Sequence, residues 1–132
     1  MKKWNLSTPG GTRDFLFEEC ERRNCICDIL ADIYSARGYS RVMTPSIEYY
    51  DVFTAGSDPL QQEMMYKLTD SQGRLLVLRP DSTVPIARLV ATRLRNHPLP
   101  LRLFYNQPVF RMSGENNGRS AEILQSGVEL LG

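Results

Sequence analysis

The sequence predicts an α+β fold, in which helices pack against a mainly antiparallel sheet. Three patterns support this class. A helical pattern comes first, a hairpin pattern and a second helical pattern follow, and a long hairpin pattern comes last. No internal repeat, low-complexity tract or linker divides the 132 residues. Because this length is enough for one hydrophobic core, we expect residues 1–132 to form a single domain.

The composition is that of an ordinary soluble globular protein. Hydrophobic residues make up 42% of the chain, charged residues make up 23%, and the net charge is +1. That charge argues against a strongly basic nucleic-acid-binding module. No apolar run reaches membrane-spanning length, and the first residues lack the apolar core of a signal peptide. We therefore expect a cytoplasmic protein that does not enter membranes.

The cysteines and the histidine do not form a metal-binding pattern. Cys20, Cys25 and Cys27 all lie within one predicted helix, and His97 is far away in the sequence. Zinc sites and disulfide frameworks need different spacings. We expect reduced thiols, no metal and no cofactor.

The first helix is predicted from Phe15 to about Arg37, with Asp14 as its N-terminal cap and Gly38 as the residue that ends it. A short strand, Tyr39–Met43, follows. The apolar stripe of the helix comprises Ile26, Ile29, Leu30, Ile33 and Tyr34.

An aromatic cluster and a polar segment come next. Tyr49, Tyr50 and Phe53 form the cluster, which is typical of a core or a subunit interface. The segment Thr54–Glu63 is polar, and we expect it to be a mobile loop. Together they are our candidates for a dimer or partner contact.

A short hairpin and a second helix occupy the middle of the chain. Tyr66–Thr69 and Arg74–Leu78 predict two strands, and Asp70–Gly73 predicts the turn between them. The helix begins at the break Arg79–Thr83 and ends near Asn96.

A long hairpin is predicted from Leu101–Arg111 and Ala121–Glu129, joined by a polar loop of residues 112–120. Side chains two residues apart on a strand share a face. One face of the second strand therefore carries Gln125, Gly127 and Glu129. The other face, which we expect to be the core face, carries Leu124, Val128 and Leu130.

The polar face of this hairpin is a candidate binding site. It offers the Gln125 amide and the Glu129 carboxylate, and Gly127 between them would leave room above the sheet. Arg111 ends the partner strand. A cation, an amide and a carboxylate above an open part of the sheet could bind a zwitterion such as an amino acid. Alternatively, these residues form the solvated face of an ordinary antiparallel hairpin.

Four segments, in the right order and on the predicted elements, resemble the histidyl branch of the class II aminoacyl-tRNA synthetases. Within that branch, the chain most resembles the regulatory subunits of ATP phosphoribosyltransferase. The resemblance implies a class II-type antiparallel sheet flanked by helices, of which this chain is expected to be the N-terminal part with motifs 1 and 2. The opening signature, motif 1, the amino-group loop and motif 2 correspond to Pro9–Asp14, Gly38–Pro45, Leu78–Thr83 and Pro108–Glu129.

The resemblance also implies a histidine-binding pocket. Asp81, together with Thr83, would bind the α-ammonium group, and Arg111 would face the carboxylate. Gln125 would contact the zwitterionic end, and Glu129 would accept a hydrogen bond from the imidazole. Asp81, Ser82 and Thr83 are also well suited to cap a helix N-terminus, and the two roles are compatible.

The chain departs from the synthetases where they bind ATP. After Arg111, the acidic position of motif 2 is occupied by Ser113 and the next basic position by Gly114. Ile123 replaces an aromatic residue that packs on adenine, and Arg119 would be a vestigial nucleotide contact. Losing one well-placed charge stabiliser already costs on the order of a hundredfold in rate. The amino-acid half of the site is kept and the nucleotide half is not.

This asymmetry suits a histidine sensor. The resemblance implies a non-catalytic regulatory subunit that binds L-histidine and mediates activation and feedback inhibition of the short-form ATP phosphoribosyltransferase catalytic subunit. It would form a homodimer within a hetero-oligomer and would not act on tRNA. The alternatives are a histidyl-tRNA synthetase with an unusual motif 2 loop, and a paralogous scaffold that binds a partner but no small molecule.

Overall fold

The computed structural model describes residues 6–55, 59–112 and 118–132. The predicted helices and strands occur in the predicted order, and three further elements lie between the first strand and the short hairpin. Those elements are α1 (Glu18–Ala36), β1 (Ser40–Arg41), β2 (Ile47–Tyr49), α2 (Tyr50–Thr54), α3 (Pro59–Glu63), β3 (Lys67–Thr69), β4 (Leu75–Leu78), α4 (Thr83–Thr92), β5 (Leu101–Phe110) and β6 (Glu122–Leu131).

Two three-stranded sheets organise the described part of the chain. In the larger sheet the order is β1-β5-β6, with β1 parallel to β5 and β5 antiparallel to β6. In the smaller sheet the order is β2-β4-β3, and both pairings are antiparallel. Mainly antiparallel sheets flanked by helices confirm the predicted α+β class. None of the described helices is long and apolar enough to cross a bilayer.

The β5–β6 register decides which face of the larger sheet becomes the core. Tyr105 pairs with Gly127, and the pairs on either side of it put Leu103 opposite Glu129. This face packs against α4, whose Ile86 is buried with Leu103 and Tyr105 in one cluster. The polar residues of β6 therefore lie on the same face as the core, at its rim.

The opposite face of β6 is largely exposed, so the prediction that it is the core face was wrong. Leu124, Val128 and Leu130 are 36%, 40% and 62% exposed. On this face, Tyr34 of α1 packs on Phe104 of β5, with ring centroids 5.4 Å apart. Apolar alternation identified the two faces of the strand correctly, but it could not say which one α4 covers.

Helix α1 differs from its prediction at its start and in its stripe. It begins at Glu18, and Asp14 does not cap it; Phe17 occupies the cap position without a side-chain cap bond. Gly38 ends it as predicted, with a φ of +80°. Of the predicted stripe, Leu30 and Tyr34 are partly buried, whereas the isoleucines at 26, 29 and 33 are exposed. The helix has two apolar stripes, and only one faces the sheet.

The segment from Thr54 to Glu63 is not simply a loop, as we had predicted. Helix α2 extends to Thr54 and α3 covers Pro59–Glu63, while residues 56–58 lie outside the described ranges. In the aromatic cluster, Phe53 is buried with Met65 and Val77, and Tyr50 packs against them. The core interpretation therefore holds for Phe53, and a partner contact for the cluster and the loop stays a prediction.

The predicted short hairpin is confirmed. One carboxylate oxygen of Asp70 accepts hydrogen bonds from the backbone N–H groups of Gln72 and Arg74, each at 2.9 Å. Gly73 takes a φ of +77°, which suits glycine. The side chains of Arg74 and Asp70 also form an ion pair at 2.6 Å.

A buried arginine joins the two sheets. Arg79, at the end of β4, is 2% exposed. Its guanidinium donates to the carbonyl of Thr44 and to the carbonyl of Pro108, both at 2.7 Å. Its backbone N–H donates to the Ser46 carbonyl, and its carbonyl accepts from the N–H of Phe110. Burial lowers the pKa of Arg79. This one residue fixes the β1–β2 connection, β4 and β5 relative to one another.

We expect Arg79→Met to destabilise the protein by about 3 kcal/mol, because two buried carbonyl groups lose a charged donor. Urea unfolding followed by circular dichroism measures the loss. Arg93→Met, at an exposed position that follows α4, is the matched control and should stay within about 0.5 kcal/mol of wild type. Equal stabilities for the two variants would contradict the role assigned to Arg79.

Candidate functional site

The candidate site is organised around the segment Pro80–Thr83, which leads from β4 into α4. The Thr83 hydroxyl donates to Glu129 Oε1 at 2.7 Å. The backbone N–H of Ser82 donates to Gln125 Oε1 at 3.1 Å. Both acceptors project from β6 on the face that α4 covers. The structure thus brings two of the predicted residues, Gln125 and Glu129, into direct hydrogen-bonding contact with this segment, in which Thr83 itself lies.

The other two predicted residues are Arg111, which bonds to the same segment, and Asp81, which lies in it. Arg111 lies just beyond β5, and its Nε donates to the Pro80 carbonyl at 2.9 Å. Asp81 Oδ1 accepts from the backbone N–H of Val84 at 3.0 Å, which caps the first turn of α4. The Asp81 side chain therefore caps the first turn of α4, although Ser82 occupies the N-cap position itself.

A cavity of about 690 Å³ opens beside this segment. Such a volume is ordinary for a small-molecule site. Of the five predicted ligand-binding residues, Asp81 and Arg111 line it, whereas Thr83, Gln125 and Glu129 do not. Arg119, the predicted vestigial nucleotide contact, also lines it. The rest of its wall is mainly apolar and includes Phe53, Met64, Met65, Val84, Met112 and Ile123.

The space that we expected above Gly127 is occupied, which corrects the predicted open floor. Tyr105, the cross-strand partner of Gly127, lies over it. A Cβ atom at position 127 would be 2.6 Å from the Tyr105 hydroxyl oxygen and 2.9 Å from its Cζ. Glycine is therefore needed here so that the tyrosine can lie across the strand, and the floor of the site is a phenol.

Tyr105 is the site residue that sequence reasoning missed. Burial raises the pKa of its hydroxyl above the ordinary value of 10.0, and the Glu129 and Asp81 carboxylates raise it further, while hydrogen bonding with Thr83 acts in the opposite direction. The hydroxyl therefore stays protonated at neutral pH. An aromatic residue opposite a glycine in a predicted hairpin was the signal that could have found it.

The site has an acidic end and a basic end. Glu129 and Asp81 lie near Tyr105, and Arg111 and Arg119 line the cavity, which Asp81 also lines. Such an arrangement can orient a small zwitterion, with its cationic groups at the acidic end and its carboxylate at Arg111. In the described ranges, no three His, Cys, Asp or Glu side chains lie together as a metal ion would require.

The long hairpin, its capping helix and the residues gathered between them define a fold of the class II aminoacyl-tRNA synthetase type. A family model described as histidyl-tRNA synthetase matches residues 11–132. The chain belongs to the histidyl-tRNA synthetase family.

The similar proteins include both regulatory subunits and synthetases. The chain is 51% identical over 124 residues to the ATP phosphoribosyltransferase regulatory subunit of Clostridium acetobutylicum, covering 94% of this chain and 30% of that protein. A crystal structure of an ATP phosphoribosyltransferase regulatory subunit/histidyl-tRNA synthetase from Bacillus halodurans has a TM-score of 0.84 and 40% identity, over 98% of this chain and 33% of that one. Histidyl-tRNA synthetase from Nostoc has a TM-score of 0.80 and 26% identity, over 94% and 28%.

These comparisons confirm the predicted resemblance to the regulatory subunits and the class II fold. The chain spans about a third of the length of the curated relatives it matches. Because the fold is shared with synthetases, the overall shape does not separate the two activities.

The raised pKa of Tyr105 links folding to its protonation. Below pH 10.0, the ordinary pKa of tyrosine, the protonated hydroxyl makes its full contribution to the free energy of unfolding. That contribution is lost as the pH rises through the higher folded-state pKa, because the unfolded chain loses its proton first. We expect the free energy of unfolding to fall less steeply for Tyr105→Phe than for wild type between about pH 9 and about pH 11. Urea unfolding at several pH values measures both slopes, and identical slopes would contradict this expectation.

Proposed function

We propose that this chain forms the histidine-binding part of a regulatory subunit of ATP phosphoribosyltransferase and does not activate histidine. The observation that carries the proposal is that Arg111, Gln125 and Glu129 all hydrogen-bond to Pro80–Thr83, the segment to which Asp81 and Thr83 belong. The names of its relatives support the regulatory role, since those relatives are called regulatory subunits.

Each polar group has a chemical role toward histidine. Asp81 and Thr83 bind the α-ammonium group, and Arg111 binds the carboxylate. Gln125 contacts the zwitterionic end, and Glu129 accepts from an imidazole N–H. Charge-assisted hydrogen bonds of this kind are roughly twice as strong as neutral ones. A ligand without the imidazole donor would leave the Glu129 carboxylate unpaired, which gives selectivity.

The nucleotide side of the cavity supports the proposal that the protein does not activate histidine. Its wall carries Ile123 where the synthetases have an adenine-packing aromatic residue. The substituted motif 2 positions, Ser113 and Gly114, lie outside the described residues. Arg119 leaves one loop cation at the cavity, which is a small remainder of the charge that adenylation requires.

The proposed partner is the short-form catalytic subunit of ATP phosphoribosyltransferase, bound by a homodimer of the regulatory subunit in a hetero-oligomer. Histidine acts as an allosteric effector only if it binds one state of that assembly more tightly. The coupling free energies of such systems are about 1–3 kcal/mol. Feedback inhibition follows when the histidine-bound state is the less active one.

We expect the full-length protein to bind L-histidine and histidinol, and Arg111→Ala to weaken histidine binding by about ten- to a hundredfold while changing histidinol binding little. Histidinol lacks the carboxylate that Arg111 is proposed to bind. Calorimetric titration measures both affinities. Arg102→Ala, exposed on β5, is the matched control.

The same protein should show no histidine-dependent ATP–pyrophosphate exchange. Measurable exchange would identify a synthetase instead. Failure of the wild-type protein to bind histidine would favour a scaffold without a small-molecule ligand.

In the assembled hetero-oligomer, we expect Glu129→Gln to shift histidine inhibition of the catalytic subunit to at least about tenfold higher histidine concentrations, while leaving the uninhibited rate and the assembly unchanged. The neutral amide cannot accept the imidazole N–H as a carboxylate does, which weakens binding by at least about tenfold. Glu122→Gln, exposed at the start of β6, should keep normal inhibition. Steady-state inhibition curves with both variants measure the effect, and an unchanged curve for Glu129→Gln would refute the assignment.

A further inference from the structure

Helix α4 packs against both sheets through opposite faces. Ile86 belongs to the buried cluster that includes Leu103 of the larger sheet. Val84 packs against the cluster that includes Val77 of the smaller sheet. Residues two apart on a helix project from nearly opposite sides, because one turn takes 3.6 residues. The position of α4 therefore depends on its contacts with each sheet.

The contact between α4 and the smaller sheet includes a buried ion pair. Glu48, in the middle of β2, is 7% exposed and lies opposite Val77 of β4. Its Oε2 accepts a hydrogen bond from Nε of Arg88 at 2.6 Å. Arg88 follows Val84 by four residues, so both project from the face of α4 that meets this sheet. Since a buried carboxylate that loses its partner is costly, the pair joins β2 to α4 at a defined point.

The same helix also places the Asp81 carboxylate. The backbone N–H of Val84 donates to Asp81 Oδ1 at 3.0 Å. Arg88 lies about one helical turn beyond that N–H group, so a shift of α4 would move the Asp81 carboxylate with it. An apolar pair of similar volume would stabilise the fold about as well as the ion pair does. The ion pair is therefore better suited to a role in geometry than to a role in stability.

We propose that Glu48 and Arg88 are positioning residues of the candidate histidine site. Their ion pair sets the position of α4. Through α4, it holds Asp81 where the α-ammonium group of the ligand is proposed to bind. Neither Glu48 nor Arg88 lines the cavity, so they act through the helix and do not touch the ligand. This inference rests on the proposed function, because it concerns the same ligand and the same carboxylate.

The test compares L-histidine with imidazolepropionate, which is histidine without its α-ammonium group, by calorimetric titration of the full-length protein. Wild type should prefer histidine by at least about tenfold, because the analogue leaves Asp81 without a cation. In the double variant Glu48→Met/Arg88→Met, which buries no charge, we expect histidine affinity to fall about fivefold or more. Affinity for imidazolepropionate should change less than about twofold, because that ligand does not use the Asp81 carboxylate.

A purely structural role for the ion pair predicts a different result. Both affinities would fall by the same factor or neither would change, and an unchanged preference for histidine in the double variant would overturn the inference. Glu48→Gln keeps the shape of the side chain and serves as the test if the double variant does not fold. It should reduce the preference by about twofold or more, and an unchanged preference would again overturn the inference.

Arg74→Met is the matched control. It removes the ion pair between Arg74 and Asp70, which also measures 2.6 Å but lies in the exposed turn of the short hairpin. Both affinities should stay as in wild type. Equal binding of the two ligands by the wild-type protein would overturn the assignment of Asp81 and this inference with it. No binding of histidine by the wild-type protein would overturn the proposed function itself.

Discussion

The buried guanidinium of Arg79 is the constraint on which the rest of the site depends. It bonds the carbonyls of Thr44 and Pro108, and no carboxylate of the described residues forms an ion pair with it. A desolvated cation is costly, so these charged bonds must hold good geometry. The chain leaves Arg79 directly into Pro80–Thr83, the segment that contains Asp81 and Thr83 and is hydrogen-bonded to Arg111, Gln125 and Glu129. Because Arg79 is held in place, the position of Pro80–Thr83, around which the candidate site is built, is fixed as well.

The short segment after Arg79 serves folding and binding at once. Asp81 caps α4 with one oxygen, and Ser82 and Thr83 use an N–H and a hydroxyl to hold Gln125 and Glu129. These internal bonds pre-organise the groups, which lowers the entropy that a ligand must overcome. They also mean that a ligand adds to, or exchanges with, bonds that already exist. Under the proposed function, the free energy of histidine binding is therefore the difference between the bonds made with histidine and the internal bonds that they replace.

The sequence predicted the elements better than their packing. Both long strands and the Asp70–Gly73 turn follow from local rules, and the structure confirms them. The buried face of α1 did not follow, because the helix carries two apolar stripes and only tertiary contacts choose between them. The sequence also did not predict that the space above Gly127 is filled. The alternation of polar and apolar residues places each residue on one face of the strand. The cross-strand register decides what fills the space above Gly127, because it puts Tyr105 opposite that glycine.

The two halves of the candidate site rest on different parts of the fold, and this explains how one could diverge without the other. The amino-acid half stands on the core face of β5 and β6, where Tyr105 is buried and the register fixes every neighbour. The cavity side is lined by Met64, Met112 and Arg119, which are exposed, and methionine walls adapt readily to change. Substitutions at those three exposed positions cost little stability, unlike substitutions at the buried Phe53 and Met65 of the same wall or under Glu129, which disturb the core. Loss of nucleotide chemistry with retention of histidine binding, as proposed, is therefore the direction of change that this architecture tolerates most easily.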